Sequence, residues 1–219
     1  SGVAKSSEEL KLAINEEILS INIESEDEFD RIVAISETLN KETKCSIRIN
    51  PDIPTGSHKY IETGLKTSKF GVDNETLKNI SLKAKNREFI KITGLASHIG
   101  SQISDNSLIM KSLEHLLTAH KLLLNDGHDI NFLDVGGGLG ITYKDEIPGD
   151  PKSLISEISK EIDSLNLHLI LEPGRSITGA AGALIAKVEY LKLTDYKNFA
   201  IINAGMNDLM RPALYDSWH

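Results

Sequence analysis

Four short segments of this sequence carry side chains that could do chemistry. His98 is followed by Ile99, Gly100, Ser101 and Gln102. An imidazole there can stack on a flat ring while the Ser101 hydroxyl and nearby amides reach an anion. Gly136, Gly137 and Gly138 are consecutive, and Gly140 follows. Without Cβ atoms their N–H groups can converge on a phosphate, and the same run equally suits a tight strand-to-helix turn that binds nothing. It is not a dinucleotide fingerprint, because Ile141 stands where the third glycine would fall, and no Gly-Lys-Ser/Thr follows to make a Walker loop. Glu172, Pro173, Gly174 and Arg175 put a carboxylate and a guanidinium three apart. They either pair with each other or do separate jobs, Glu172 keeping a heterocyclic nitrogen protonated and Arg175 gripping a substrate carboxylate through two parallel N–H bonds. The fourth segment, residues 207–215, holds Arg211 and Tyr215 after an apolar run and beside Pro212. It reads either as a solvated loop or as part of a site.

These segments need elements to position them. Apolar, β-type runs recur at residues 18–23, 45–50, 92–99, 130–135 and 167–171. Amphipathic stretches separate them at 25–40, 74–86, 107–125 and 151–165. Ser25 and Glu28 form the pattern of a capping box, Gly127 suits a helix C-terminus, and Pro151 suits a first helical turn. Strands alternating with helices predict an α/β fold with a mainly parallel sheet, either a barrel or a doubly wound sheet. Three of the chemical segments then fall at the C-terminal ends of neighbouring strands, where parallel α/β folds place their sites. After residue 178 the pattern changes. Runs at 183–193 and 199–203 have no helix between them and predict the start of a β-rich domain.

Composition narrows the function classes. The chain has 219 residues, 24 basic against 32 acidic, and a net charge of −8. That argues against broad binding to nucleic acid or to an anionic membrane. No stretch approaches the ~20 apolar residues of a membrane helix. The single cysteine, Cys45, excludes an internal disulfide framework and a CxxC-type zinc site. It reads as strand core, and the lack of disulfides fits a reducing cytoplasm. His115 and His120 read as surface residues, and no metal site is expected.

The chain resembles the fold-type III pyridoxal-phosphate-dependent decarboxylases over essentially its whole length. The resemblance rests on residues 1–6, 22–25, 48–51, 69–71, 98–102, 134–138, 172–175 and 207–215, in that order and spacing. It implies a (β/α)8 TIM-type barrel over residues 1–180, incomplete here with its first two strands absent, followed from 181 to 219 by the start of a C-terminal β domain. It implies pyridoxal 5'-phosphate as cofactor. His98 would stack on its ring, Ser101 would lie near its phosphate, and Glu172 would pair with its pyridine nitrogen. Gly137, Gly138, Pro173, Gly174 and Arg175 would line the phosphate site. Arg175, Arg211 and Tyr215 would hold the substrate. Among members of the family, those acting on meso-2,6-diaminopimelate to release L-lysine and CO2 match best. Arg211 offers a partner for a distal carboxylate that ornithine lacks.

The resemblance also implies what to expect elsewhere. No context here matches the family's Schiff-base lysine or its acid cysteine, so no catalytic residue is assigned. The chain is therefore expected to be an internal piece of a longer enzyme, inactive alone, whose complete form is a cytoplasmic homodimer with a small-molecule substrate. The alternatives are an ornithine- or arginine-type decarboxylase of the same fold and a non-catalytic pyridoxal-phosphate-binding barrel.

Overall fold

The structure, a computed structural model, describes residues 1–54, 63–64 and 68–219. Helix α1 (Ser7–Asn15) comes first, then strand β1 (Ile21–Ile23), helix α2 (Glu26–Leu39), strand β2 (Thr43–Arg48) and helix α3 (Asn74–Ala84). Strand β3 (Ile90–Ala96), helix α4 (Asn106–Asn125), strand β4 (Phe132–Gly137), helix α5 (Pro151–Ile162) and strand β5 (His168–Glu172) follow. A short helix α6 (Arg175–Thr178), strands β6 (Val188–Lys192) and β7 (Phe199–Ile202), and helix α7 (Arg211–Tyr215) follow, and a 3-10 turn (Asp163–Leu165) joins α5 to β5.

Each of the five apolar runs forms one parallel strand, and the sheet order is β1-β2-β3-β4-β5. That order decides between the two architectures left open. A doubly wound sheet reverses direction at a switch point, whereas here every crossover steps the same way, as in a barrel wall. The described residues hold five such strands. β6 and β7 form a separate antiparallel pair, Val188 opposite Ile202 and Lys192 opposite Phe199, almost wholly exposed.

The core lies between the sheet and its covering helices. Phe29 and Ile32 of α2, Leu77 and Ile80 of α3, Leu113 and Leu116 of α4 and Ile158 of α5 pack on Ile23, Cys45, Ile47, Leu95 and Leu133. Fully burying such side chains contributes about 1.5–3 kcal/mol each. Cys45 is core, as expected, and burial pushes its thiol up to about 12.

Three local expectations change. The sequence reading places no helix at α1, yet this helix carries a complete capping box: Ser6 Oγ accepts from the Glu9 N–H, and the Glu9 carboxylate accepts from the Ser6 N–H. The box expected at Ser25 and Glu28 is only half made. Ser25 accepts from the Glu28 N–H, but the Glu28 carboxylate turns to the Glu24 N–H and to Lys5. His120 is buried rather than on the surface. It follows Ile109, Leu113 and Leu116 on the apolar stripe of α4. The other terminal signals match expectation: Gly127 sits at φ 89° after α4, and Pro151 opens α5.

Candidate active site

The C-terminal ends of β2 to β5 bring together Arg48, His98, the glycine run and Glu172. The glycines explain how. A Cβ on Gly137 would lie 1.6 Å from the Glu172 carbonyl oxygen, and one on Gly138 would lie 2.0 Å from the Gly100 carbonyl oxygen. Gly138 also holds φ at 87°, a conformation that favours glycine. The end of β4 can therefore wedge between the chains leaving β3 and β5. That closeness places the Gly137 N–H 3.1 Å from Nδ1 of His98. Nδ1 is thus the acceptor, and the neutral ring carries its proton on Nε2. Burial, followed by the charge of Arg48, pushes the His98 imidazolium below its usual range, so the ring is neutral at pH 7.

Two acidic groups support this arrangement without being exposed to substrate. Glu24 and Arg48 form a buried ion pair at 2.7 Å, with side chains 2% and 8% exposed. Glu24 also accepts N–H bonds from Gly2 and Gly71, at 3.1 and 2.9 Å. Arg48 lies 4.7 Å over the Phe70 ring and reaches the His98 carbonyl oxygen at 3.4 Å; the Thr63 hydroxyl donates to that same oxygen at 2.8 Å. The backbone under the imidazole is therefore tied to β2. Asp134, buried on β4, accepts the Gly136 N–H at 2.9 Å. Burial first, and then the neighbouring Glu172 carboxylate, push Asp134 up to about 6.

The second half of the site is cationic. Gly174 takes φ 50°, and Arg175 opens α6. The Ser176, Ile177 and Thr178 N–H groups are taken by the Pro173 and Gly174 carbonyl oxygens. Arg175 donates to Oε1 of Gln102 at 3.1 Å, and Gln102 also accepts from the Ile141 N–H and donates to its carbonyl oxygen. Glu172 and Arg175 form no ion pair with each other among the described residues, which leaves them to separate roles. The Arg175 guanidinium lies 5.8 Å from the centre of the Tyr143 ring, and that of Arg211 lies 5.0 Å from the same centre. Arg211 is also 6.0 Å from the ring of Tyr215, one turn along α7, so residues 211–215 of that segment are helical while 206–209 form a turn. Nε of Arg211 is buried with no hydrogen-bond partner among the described residues. Ser101 is half-buried on the loop after β3, and Pro173 is half-buried between Glu172 and α6.

This donor set fits a flat, phosphorylated heterocycle. A neutral imidazole offers a face after β3, a carboxylate stands at the end of β5, and between them the glycine run at the end of β4 leaves backbone without side chains. No cluster suited to a metal ion occurs among the described residues. Ser81, His128 and Asp126 superficially resemble a hydrolytic triad, but His128 Nε2 and Asp126 Oδ2 both converge on the buried Ser81 hydroxyl, at 3.0 and 2.7 Å. That is a structural tie between α3 and the end of α4.

Residues 1–179 match the family model described as the pyridoxal binding domain of pyridoxal-dependent decarboxylases. The chain belongs to that family. It is 42% identical over 219 residues to a diaminopimelate decarboxylase of Neisseria meningitidis, covering all of this chain and 54% of the relative. A crystal structure of diaminopimelate decarboxylase from Helicobacter pylori complexed with L-lysine matches with a TM-score of 0.94 and 40% identity, over 100% of this chain and 55% of that one. The M. jannaschii diaminopimelate decarboxylase in co-complex with L-lysine matches at TM-score 0.89 and 34% identity, over 100% and 52%. The chain thus spans about half the length of the curated relatives it matches. Family membership makes pyridoxal phosphate the cofactor and the five-stranded sheet part of a TIM-type barrel. Among the described residues no helix is long and apolar enough to cross a membrane.

Sequence reasoning gives no role to Glu24, Arg48, Gln102, Asp134 or Tyr143. Glu24, Arg48 and Asp134 do carry a signal, being charged residues inside or at the end of apolar strand runs. Gln102 stands in the 98–102 segment, but its partners, like those of Tyr143, are distant in sequence and carry no signal.

Proposed function

We propose that the complete protein decarboxylates meso-2,6-diaminopimelate to L-lysine and CO2, and that this chain supplies its cofactor face and the receptor for the far end of the substrate. The supporting observation is the convergence of Arg175 and Arg211 on one aromatic ring, with no carboxylate paired to either among the described residues. Two guanidiniums without acidic partners suit an anionic substrate end. Ornithine and arginine carry a cation there, which this cluster would repel.

When bound, pyridoxal phosphate supplies the electron sink for loss of CO2. This chain's residues would act around it. His98 offers a neutral ring face, held flat by the Gly137 N–H. Glu172 accepts the pyridine N–H bond and holds that proton in place. Gly137, Gly138, Pro173, Gly174 and Arg175, with Ser101 near, line the phosphate. Arg175, Arg211 and Tyr215 bind the distal head of the substrate. Charge-assisted bonds of about 1.5–3 kcal/mol each make one arginine worth roughly 10- to 150-fold in selectivity. The division at residues 180 and 181, a cytoplasmic location and a homodimer of the complete protein belong to the same reading.

The test compares meso-diaminopimelate, ornithine and arginine as substrates of the complete protein. Lysine formation from the first, lost selectively in Arg211→Ala, is expected. Equal or better turnover of ornithine would overturn the assignment.

A further inference from the structure

We infer that Tyr143 is a positioning residue, whose ring face holds Arg175 and Arg211 at a fixed spacing for the anionic end of the substrate. This rests on the substrate reading above, but its geometry stands apart from it.

Two guanidiniums lying 5.8 and 5.0 Å from one ring centre carry like charges, and each needs something to hold it. Arg175 is pinned by Gln102 at 3.1 Å. Arg211 has no comparable tie among the described residues: its Nε is buried without a hydrogen-bond partner, and its guanidinium rests on the rings of Tyr143 and Tyr215. Among the described residues, Tyr143 is the one aromatic group that both cations share. The face of an aromatic ring carries negative potential, so a ring beside two cations attracts both and eases their mutual repulsion.

The loop carrying Tyr143 is braced at both ends. Gln102 holds Ile141 by both its N–H and its carbonyl oxygen, and so ties the loop to the group that pins Arg175. The far end closes on Glu146. The Tyr143 and Lys144 N–H groups donate to its carboxylate at 2.9 and 2.8 Å, and the Thr142 hydroxyl donates to its carbonyl oxygen at 2.9 Å. The ring is therefore presented from a turn held by these hydrogen bonds. None of these contacts uses the phenolic hydroxyl as a hydrogen-bond donor, so the face is the working part.

Three variants of the complete protein separate these elements: Tyr143→Phe keeps the face, Tyr143→Leu keeps bulk without it, and Tyr143→Ala removes both. Tyr143→Phe is expected to match the wild type. The other two are expected to raise KM for meso-diaminopimelate about threefold to tenfold, with kcat within about twofold and the cofactor absorbance unchanged. Leu behaving like Tyr, Phe behaving like Ala, or a fall in kcat with KM unchanged would each overturn the inference. A second readout needs no turnover. Phenylglyoxal labelling of the substrate-free protein, mapped by peptide mass, should proceed faster at Arg211 in the Leu and Ala variants and unchanged in Phe. Equal labelling rates in all four proteins would also overturn it. If labelling responds as expected while the wild type ignores meso-diaminopimelate, the substrate assignment fails and the positioning role stands.

Discussion

The Gly137 N–H donates to Nδ1 of His98 at 3.1 Å, and no residue other than glycine could stand at 137 to do so. The glycine run reads from sequence as a phosphate cradle or a bare turn. Its first structural effect is closer to masonry: it lets three strand ends approach within contact. The catalytic-looking cluster is a consequence of that approach. Gly137→Ala would force a methyl group into the Glu172 carbonyl and part β4 from β5. A loss of about 3 kcal/mol or more is expected in urea unfolding of the complete protein, together with loss of bound cofactor. A fully stable, cofactor-loaded Gly137→Ala protein would contradict this account of the strand ends.

His98 and Asp134 pull the pH dependence of stability in opposite directions. The His98 imidazolium is disfavoured in the fold, chiefly by burial and then by Arg48. Its contribution is present above the ordinary value of 6.5 and is lost as pH falls below it. Protonation at Nδ1 would also break the bond from Gly137. His98→Gln keeps an oxygen acceptor and cannot titrate. Its stability should therefore fall less than the wild type's between pH 7 and pH 5, as read by thermal unfolding across that range.

Asp134 has the other sign. Its carboxyl is raised from 3.8 to about 6, so stability is fully present below the ordinary value and declines as pH rises through about 6. Asn at this position can still accept the Gly136 N–H but carries no charge beside Glu172. Asp134→Asn is expected to gain on the wild type by about 1–2 kcal/mol at pH 8 relative to pH 4. A parallel pair of stability curves across that range would mean that neither burial nor the Glu172 charge raises the Asp134 carboxyl in the fold.

Arg48 offers a test of the buried support. Removing one member of a buried ion pair costs about 3–5 kcal/mol, because the other charge is left uncompensated. Arg48→Met should reach that range and should weaken cofactor binding as well, since Arg48 also touches the His98 carbonyl oxygen. Weakened cofactor binding at unchanged stability would instead put Arg48 in contact with the cofactor.

Much of the fold is legible in the sequence because the five strands are apolar runs with helical stretches between them. What stays hidden has physical reasons. The capping box at Ser6 and Glu9 is present in the sequence but overshadowed by the more obvious one at Ser25, which the structure half dissolves because Lys5 draws the Glu28 carboxylate away. His120 reads as a surface residue only when it is weighed against His115, five residues away, rather than against the stripe of Leu113 and Leu116. α7 has only five residues, too few for periodicity to show. His98, Glu172 and Arg175 are readable as types at strand ends, and Arg211 as a cation some way after an apolar run. Tyr143 is not, because its two partners lie 32 and 68 residues further along the chain and only tertiary structure joins them.

The cofactor chemistry of this family needs a lysine, and the surroundings of His98 bear on where it is found. Among the described residues, the charged groups acting on that imidazole are Arg48, Glu172 and Glu24, and none of them is a lysine. Lys5 is engaged with Glu28 and with the Gly2 carbonyl oxygen. Incubating this chain with pyridoxal phosphate, reducing with borohydride and mapping the labelled peptides should therefore give scattered or negligible labelling. The complete protein should give one stoichiometric lysine at a position outside residues 1–219. A single stoichiometric site within this chain would mean that it carries its own cofactor-linking lysine, and the division of labour proposed above would have to be redrawn around that residue.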